Sequence, residues 1–142
     1  MKQETGKNKE RTERQLINPA GTEFIYQSMQ FSQAVRAGNM VWVSGQVGMD
    51  EHLHMGEGLE AQARQAFRNL ERVLAAAGAS LADVVELITY HTDMNGFNDF
   101  SRVKSEFFPK DYPAWTAVGV KALVMPGLLV EIRATAVMNS SL

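Results

Sequence analysis

The sequence predicts an α+β domain in which one sheet is covered on one face by two helices. Three observations predict it. Two long segments carry apolar residues at helical spacing, the remaining apolar segments read as strands, and the order is ββ-α-β-α-ββ. A length of 142 residues suits about one domain. A domain of that size buries roughly two-thirds of its unfolded surface and needs no staple.

Gln30–Ala37 and Met40–Val47 form the opening pair. Gly38-Asn39 between them is a two-residue hairpin signal. Val41, Val43, Gly45 and Val47 share the period of a strand. Asp50–Gly58 is polar, holds Gly56 and Gly58, and reads as a loop. Glu60–Ala77 is a helix, because Ala63, Ala66, Phe67, Leu70, Val73, Leu74 and Ala77 make one apolar stripe. Gly78 ends it. Val84–Thr92 is rich in β-branched residues and reads as a strand. Asn95–Phe108 is a second helix, striped by Phe97, Phe100, Val103 and Phe107 and closed by Pro109. Ala114–Lys121 and Leu129–Met138 are the last strands, joined by a turn at Met125-Pro126-Gly127. In the final strand Val130, Ile132, Ala134 and Ala136 point inward, and Glu131, Arg133 and Thr135 point the other way. The uncovered sheet face is expected to carry Trp42, Trp115 and other bulky groups. A bare face that is not polar usually meets another subunit.

Residues 1–14 are charged, with a net +2 against −4 for the remainder, and hold no large apolar side chain after Met1. They read as a flexible tail ahead of a single domain at 15–142. A role for the tail in holding an anionic partner is weaker than a plain solvated extension. The net charge of −2 argues against a nucleic-acid or anionic-membrane partner. No apolar run reaches the ~18 residues of a membrane helix, and the start lacks the apolar stretch of a secretory signal. With no cysteine there is no disulfide framework, zinc-thiolate site or thiol nucleophile. A cytoplasmic setting is therefore expected.

Few residues suggest chemistry directly. His52 and His54 could ligate a metal as a pair but lack a third ligand nearby, so no metal is expected. His91 alternates with Thr89 and Asp93 on a strand, where a hydrogen-bonded structural histidine outweighs a general base. No phosphate-cradling loop or nucleophile elbow is present. Glu131 and Arg133 share a face of the last strand, and charges in an apolar strand need partners or solvent. They form either an ion pair at a wet edge or the lining of a cleft. Trp115 defaults to core or interface, and Asn95 could cap the second helix.

Phe31-Ser32-Gln33-Ala34-Val35-Arg36-Ala37-Gly38-Asn39 and Val43-Ser44-Gly45-Gln46 resemble the opening of the Rid family, the YjgF-type enamine/imine deaminases. Ala61-Gln62-Ala63-Arg64-Gln65, Asp93-Met94-Asn95-Gly96-Phe97, Tyr112-Pro113-Ala114 and Val130-Glu131-Ile132 resemble its later blocks. The resemblance covers roughly 18–138, in the same order and spacing. It implies a chorismate-mutase-like fold and a homotrimer with a central barrel and three clefts between subunits. It also implies hydrolysis of 2-aminoacrylate-type enamines or imines to 2-oxo acids and ammonia, without a cofactor.

By resemblance, an Arg after Pro-Ala holds the substrate carboxylate, a Tyr begins the first strand block, and a Glu on the last strand orients water. Here those positions are Trp115, Phe31 and Arg133, and Glu131 matches a second family acid. Gly45, Thr116, Ala117 and Asn95 are compatible with the family's ligand-binding positions. An indole offers one donor and cannot replace a bidentate guanidinium. The fold is expected to transfer and standard 2-aminoacrylate deamination is not. Arg133 moves a cation to the neighbouring strand, so a small carboxylate ligand, an enamine, imine or keto acid, is expected against Arg133, Trp115 and Phe31. Glu131 is the one catalytic candidate for a residual hydrolase acting on C=N bonds. The alternative is a non-catalytic small-molecule binder or a stress-related protein-interaction trimer. Ribonuclease activity, also associated with the family, ranks last, because a chain of net charge −2 grips a phosphate backbone poorly.

Overall fold

The structure is a computed structural model and describes residues 13–139. Six strands form one sheet: β1 (Arg14–Ile17), β2 (Ala34–Ala37), β3 (Met40–Val47), β4 (Val84–His91), β5 (Ala114–Gly119) and β6 (Val130–Val137). Their order across the sheet is β1-β2-β3-β6-β4-β5. β4 and β5 run parallel, and every other neighbouring pair is antiparallel. Three α-helices accompany them: α1 (Glu23–Met29), α2 (Leu59–Ala76) and α3 (Phe97–Phe107).

The expected α+β layer is present. Its two long helices, α2 and α3, lie where the apolar stripes predict. α2 buries Ala63, Ala66, Phe67, Leu70, Val73 and Leu74 against the sheet. Gly78, at φ 88°, ends it by adopting the left-handed conformation that costs glycine little. Phe67 is the keystone of the helix–helix contact. Its ring stacks on Phe107 at 5.0 Å and meets Phe100 at 5.6 Å and Phe108 at 6.0 Å. Burial of each such side chain is worth about 1.5–3 kcal/mol. The β2–β3 hairpin turns at Gly38, φ 61°, with Ala37 opposite Met40. Gln62, 2% exposed, clamps two loops to the core. Its amide donates to the carbonyls of Gly56 and Gly127, and its oxygen accepts from the Leu129 N–H.

Three expectations are corrected. β1 and α1 are additional elements, both weak in pattern: β1 is a four-residue edge strand, and α1 buries no residue. Arg14, placed in the tail by composition, opens β1. The expected flexibility of the rest of that tail falls almost wholly outside the described residues. Asn95 does not cap the second helix: it lies in a 3-10 turn, Met94–Gly96, whose cap is the Asp93 carboxylate accepting from the Asn95 N–H. Gly96 occupies the N-cap of α3. Among the described residues no helix is long and apolar enough to cross a membrane.

Candidate functional site

β6 runs through the middle of the sheet and supplies the site. Val130, Ile132, Ala134 and Ala136 are buried toward the helices. Glu131 and Arg133 therefore project from the uncovered face, as strand alternation requires. Register places Tyr90 opposite Glu131 and Ile88 opposite Arg133. Ile88 in turn lies opposite Thr116 of β5. Arg133 and Thr116 thus share one face, two strands apart.

On its other side β6 meets a bulge. Val43 pairs with Ala134 and Gln46 with Ile132, leaving Ser44 and Gly45 together opposite the single residue Arg133. The Glu131 carboxylate lies across Gly45 so closely that any Cβ there would overlap it. Glycine is required by that approach. The bulge is pinned from outside. Ser44 donates from its N–H to the Gln33 carbonyl at 2.9 Å and from its hydroxyl to Ser32 at 2.7 Å. Gln46 donates to the Gln33 side chain at 2.9 Å. The Gln33 N–H donates to Asn18 at 3.0 Å. These bonds hold 32–33 beside the bulge and set the position of Phe31, which remains partly exposed.

Glu131 is half-buried, and burial pushes its carboxyl above the usual carboxylate range. Of the two alternatives for the charged pair, the ion pair is not formed: among the described residues neither Glu131 nor Arg133 takes part in a salt bridge. Arg133 keeps a guanidinium without an acid within ion-pair distance, on a face that also carries Glu131 and Thr116.

Trp115 is placed on the other side of the sheet. Its register partner is Leu87, whose own partner on β6 is the buried Ala134. The indole stacks on Phe97 at 5.1 Å and 7°, and its N–H donates to the Thr89 hydroxyl at 3.0 Å. The Lys104 ammonium sits 4.4 Å from its ring centroid. The expectation that Trp115 shares the uncovered face and walls Arg133 is therefore corrected. An indole gains stacking, a hydrogen bond and a cation–π contact on the covered side. Ala117 has the same parity, opposite the buried Thr89. Asn95 is exposed beyond the end of β4. The uncovered face thus gathers Glu131, Arg133, Gly45 and Thr116, and the exposed Phe31 precedes the segment bonded to the bulge.

Tyr90 and Ile88 belong to this face and were not singled out by sequence. Their strand parity, opposite to that of Thr89 and His91, is the signal that marks them. His91 is structural: it is 2% exposed, bonded to Thr89 at 2.7 Å, and edge-on to Phe100 at 4.7 Å. Burial pushes its imidazole below the ordinary 6.5. Lys104, unnoticed in sequence, lies only 8% exposed between Trp115 and Tyr112, and burial lowers its ammonium likewise. His52 and His54 stand exposed in the loop after β3.

Residues 22–138 match the family model described as endoribonuclease L-PSP. The RutC family protein YjgH of Escherichia coli is 41% identical over 126 residues, which cover 87% of this chain and 95% of that one. A 2-iminobutanoate/2-iminopropanoate deaminase of Dermatophagoides farinae is 40% identical over 95 residues, 66% of this chain and 74% of that protein. The crystal structure of Rv2704 from Mycobacterium tuberculosis, a member of the YjgF/YER057c/UK114 family, superposes with a TM-score of 0.78 at 39% identity, covering 89% of this chain and all of that one.

Proposed function

The chain belongs to the endoribonuclease L-PSP family, the Rid or YjgF type, and on that premise we propose that it forms a homotrimer binding a small carboxylate ligand in clefts between subunits. One observation carries the ligand reading: Arg133 presents an acid-free guanidinium from the centre of the uncovered face. A guanidinium fork matches a carboxylate in geometry and charge, and its value rises where neighbours exclude water. Thr116 and the Ser44-Gly45 bulge flank it, and Tyr90 and Phe31 offer flat apolar surface. An enamine, imine or keto acid with a planar body fits that surroundings.

The trimer reading rests on the resemblance and on the same face. Leu16, Val35 and Trp42 stand side by side there, Leu16 and Trp42 48% and 40% exposed, with Met40 and Val137 paired next along the strands. Contiguous apolar surface of this kind favours burial against another subunit.

Standard 2-aminoacrylate deamination is not part of the proposal, because the carboxylate clamp after Pro-Ala is an indole turned toward the helices. Where hydrolysis of a C=N bond persists, Glu131 is its acid–base group: water adds to the imine carbon, the nitrogen takes a proton, and ammonia leaves a 2-oxo acid. A carboxyl raised by burial holds its proton more readily than an ordinary glutamate, which suits it to that exchange. Binding without turnover is the second reading, favoured by Trp115. The cytoplasmic setting expected from composition is kept.

The test is thermal shift with aliphatic and aromatic carboxylic acids on wild type and Arg133→Ala. Stabilisation by an acid in wild type, lost in the variant while the oligomer persists, is the expected result. Equal shifts in both proteins would overturn the proposal.

A further inference from the structure

We propose that a cavity beside α2, separate from the sheet face, is a second binding site for a small zwitterion of the α-amino acid class. The cavity has a volume of about 350 Å³ and lies between the loop after β3 and the first half of α2. That volume accommodates a small-molecule ligand. Arg64 and Arg68 form one wall, one helical turn apart and therefore on one helix face. Asp50 and Gln65 also line it, with Met55 and Ala61 as apolar surface.

The hydrogen-bonding capacity of these groups decides the ligand. Arg64 donates two of its five N–H groups to Glu106, at 2.9 and 2.6 Å, which leaves three. Glu106, together with Glu60 at 3.9 Å, neutralises that charge. Among the described residues Arg68 has no hydrogen-bond or ion-pair partner and retains all five donors and a full charge. The cationic wall can thus take a carboxylate.

The acceptors are equally defined. One oxygen of Asp50 is committed to the main-chain N–H groups of His52 and His54, both at 2.9 Å. These bonds, with the nearby imidazoles, hold its carboxyl below the usual range, so it is charged at neutral pH. Among the described residues its second oxygen meets only the exposed His54 ring, at 3.8 Å. Gln65 donates its amide N–H to Asn69, and among the described residues its carbonyl oxygen accepts no hydrogen bond. An anionic and a neutral acceptor therefore share the cavity with a guanidinium wall. A plain anion would satisfy Arg68 and meet repulsion from Asp50. A molecule carrying both a carboxylate and an ammonium satisfies both sides.

Calorimetric titration of the full chain tests this with L-alanine and L-methionine, against propionate, which lacks the ammonium, and ethylamine, which lacks the carboxylate. At least one amino acid should bind, with propionate and ethylamine at least about tenfold weaker. Arg68→Ala and Asp50→Asn should each weaken it by a similar factor. Asp50→Asn keeps the oxygen that accepts from the loop and removes only the charge, and circular dichroism on both variants checks folding. Arg133→Ala should leave the affinity unchanged, which separates this site from the sheet face. No binding at millimolar amino acid would overturn the proposal. So would propionate binding equal to that of alanine and indifferent to Asp50→Asn, or binding lost in Arg133→Ala but kept in Arg68→Ala.

Discussion

Trp115 and Arg133 lie on opposite faces of the same sheet. The Trp115 indole is bonded to Thr89 and stacked on Phe97 beneath the helices, whereas Arg133, opposite Ile88, projects from the uncovered face. The position that by resemblance would carry the carboxylate clamp is thus packed, partly buried, against the core. The cation that sequence places near it stands on the other side of a β-sheet, with its own set of neighbours.

Hydrolysis of 2-iminopropionate should accordingly be slow. Two charge-assisted bonds to a substrate carboxylate are worth about 3 kcal/mol or more, which corresponds to at least about 100-fold in kcat/KM. The measurement is semicarbazone trapping of residual imine, run beside a relative that keeps the Arg. Equal rates would show that the clamp position does not govern this chain.

Self-association should bury the face that carries Leu16, Trp42 and Arg133. Multi-angle light scattering at micromolar concentration is expected to give three times the 15.8 kDa chain mass. A stable monomer would remove the inter-subunit cleft. Trp42→Lys should weaken the trimer, since it places a charge in the middle of the apolar patch.

Gly45→Ala tests the contact between the bulge and Glu131. A methyl group would overlap the carboxylate, and either the Glu131 side chain or the bulge must move. The expected cost is about 1–3 kcal/mol, the usual range for overpacking, read by urea unfolding at neutral pH. Gly45→Ala with Glu131→Gly should recover part of it, because the second change removes the obstructing atoms.

Stability should fall on acidification through the histidine range. In the fold, burial lowers the His91 pKa below 6.5. The unfolded chain therefore binds this proton first as pH drops. Unfolding free energy is unaffected well above 6.5 and decreases as pH falls below it, until the folded pKa is reached. Urea unfolding between pH 7.5 and 5 should show that slope, and the His91 ring signal in NMR should titrate with a midpoint under 6.5. A midpoint above 6.5 would contradict the buried neutral ring.

Much of the fold was legible in the sequence, because local physics fixes it. The stripes of α2 and α3, the stop at Gly78, the hairpin turn at Gly38 and the alternation of Val130 to Ala136 each follow from a period or a backbone preference. α1 and β1 were not legible: neither buries a stripe, so neither leaves a pattern. For the site, sequence determined that Glu131 and Arg133 share a face and that Gly45 and Thr116 are compatible with lying near them. It could not determine which face Trp115 takes, since an edge strand read alone has two equivalent parities. The pairing of Trp115 with Leu87 settles that, and it is a tertiary fact. The same holds for the two-for-one bulge opposite Arg133 and for the cavity that joins Asp50 to Arg68. Each depends on the register between segments far apart in the chain, and register is decided only when the whole core packs.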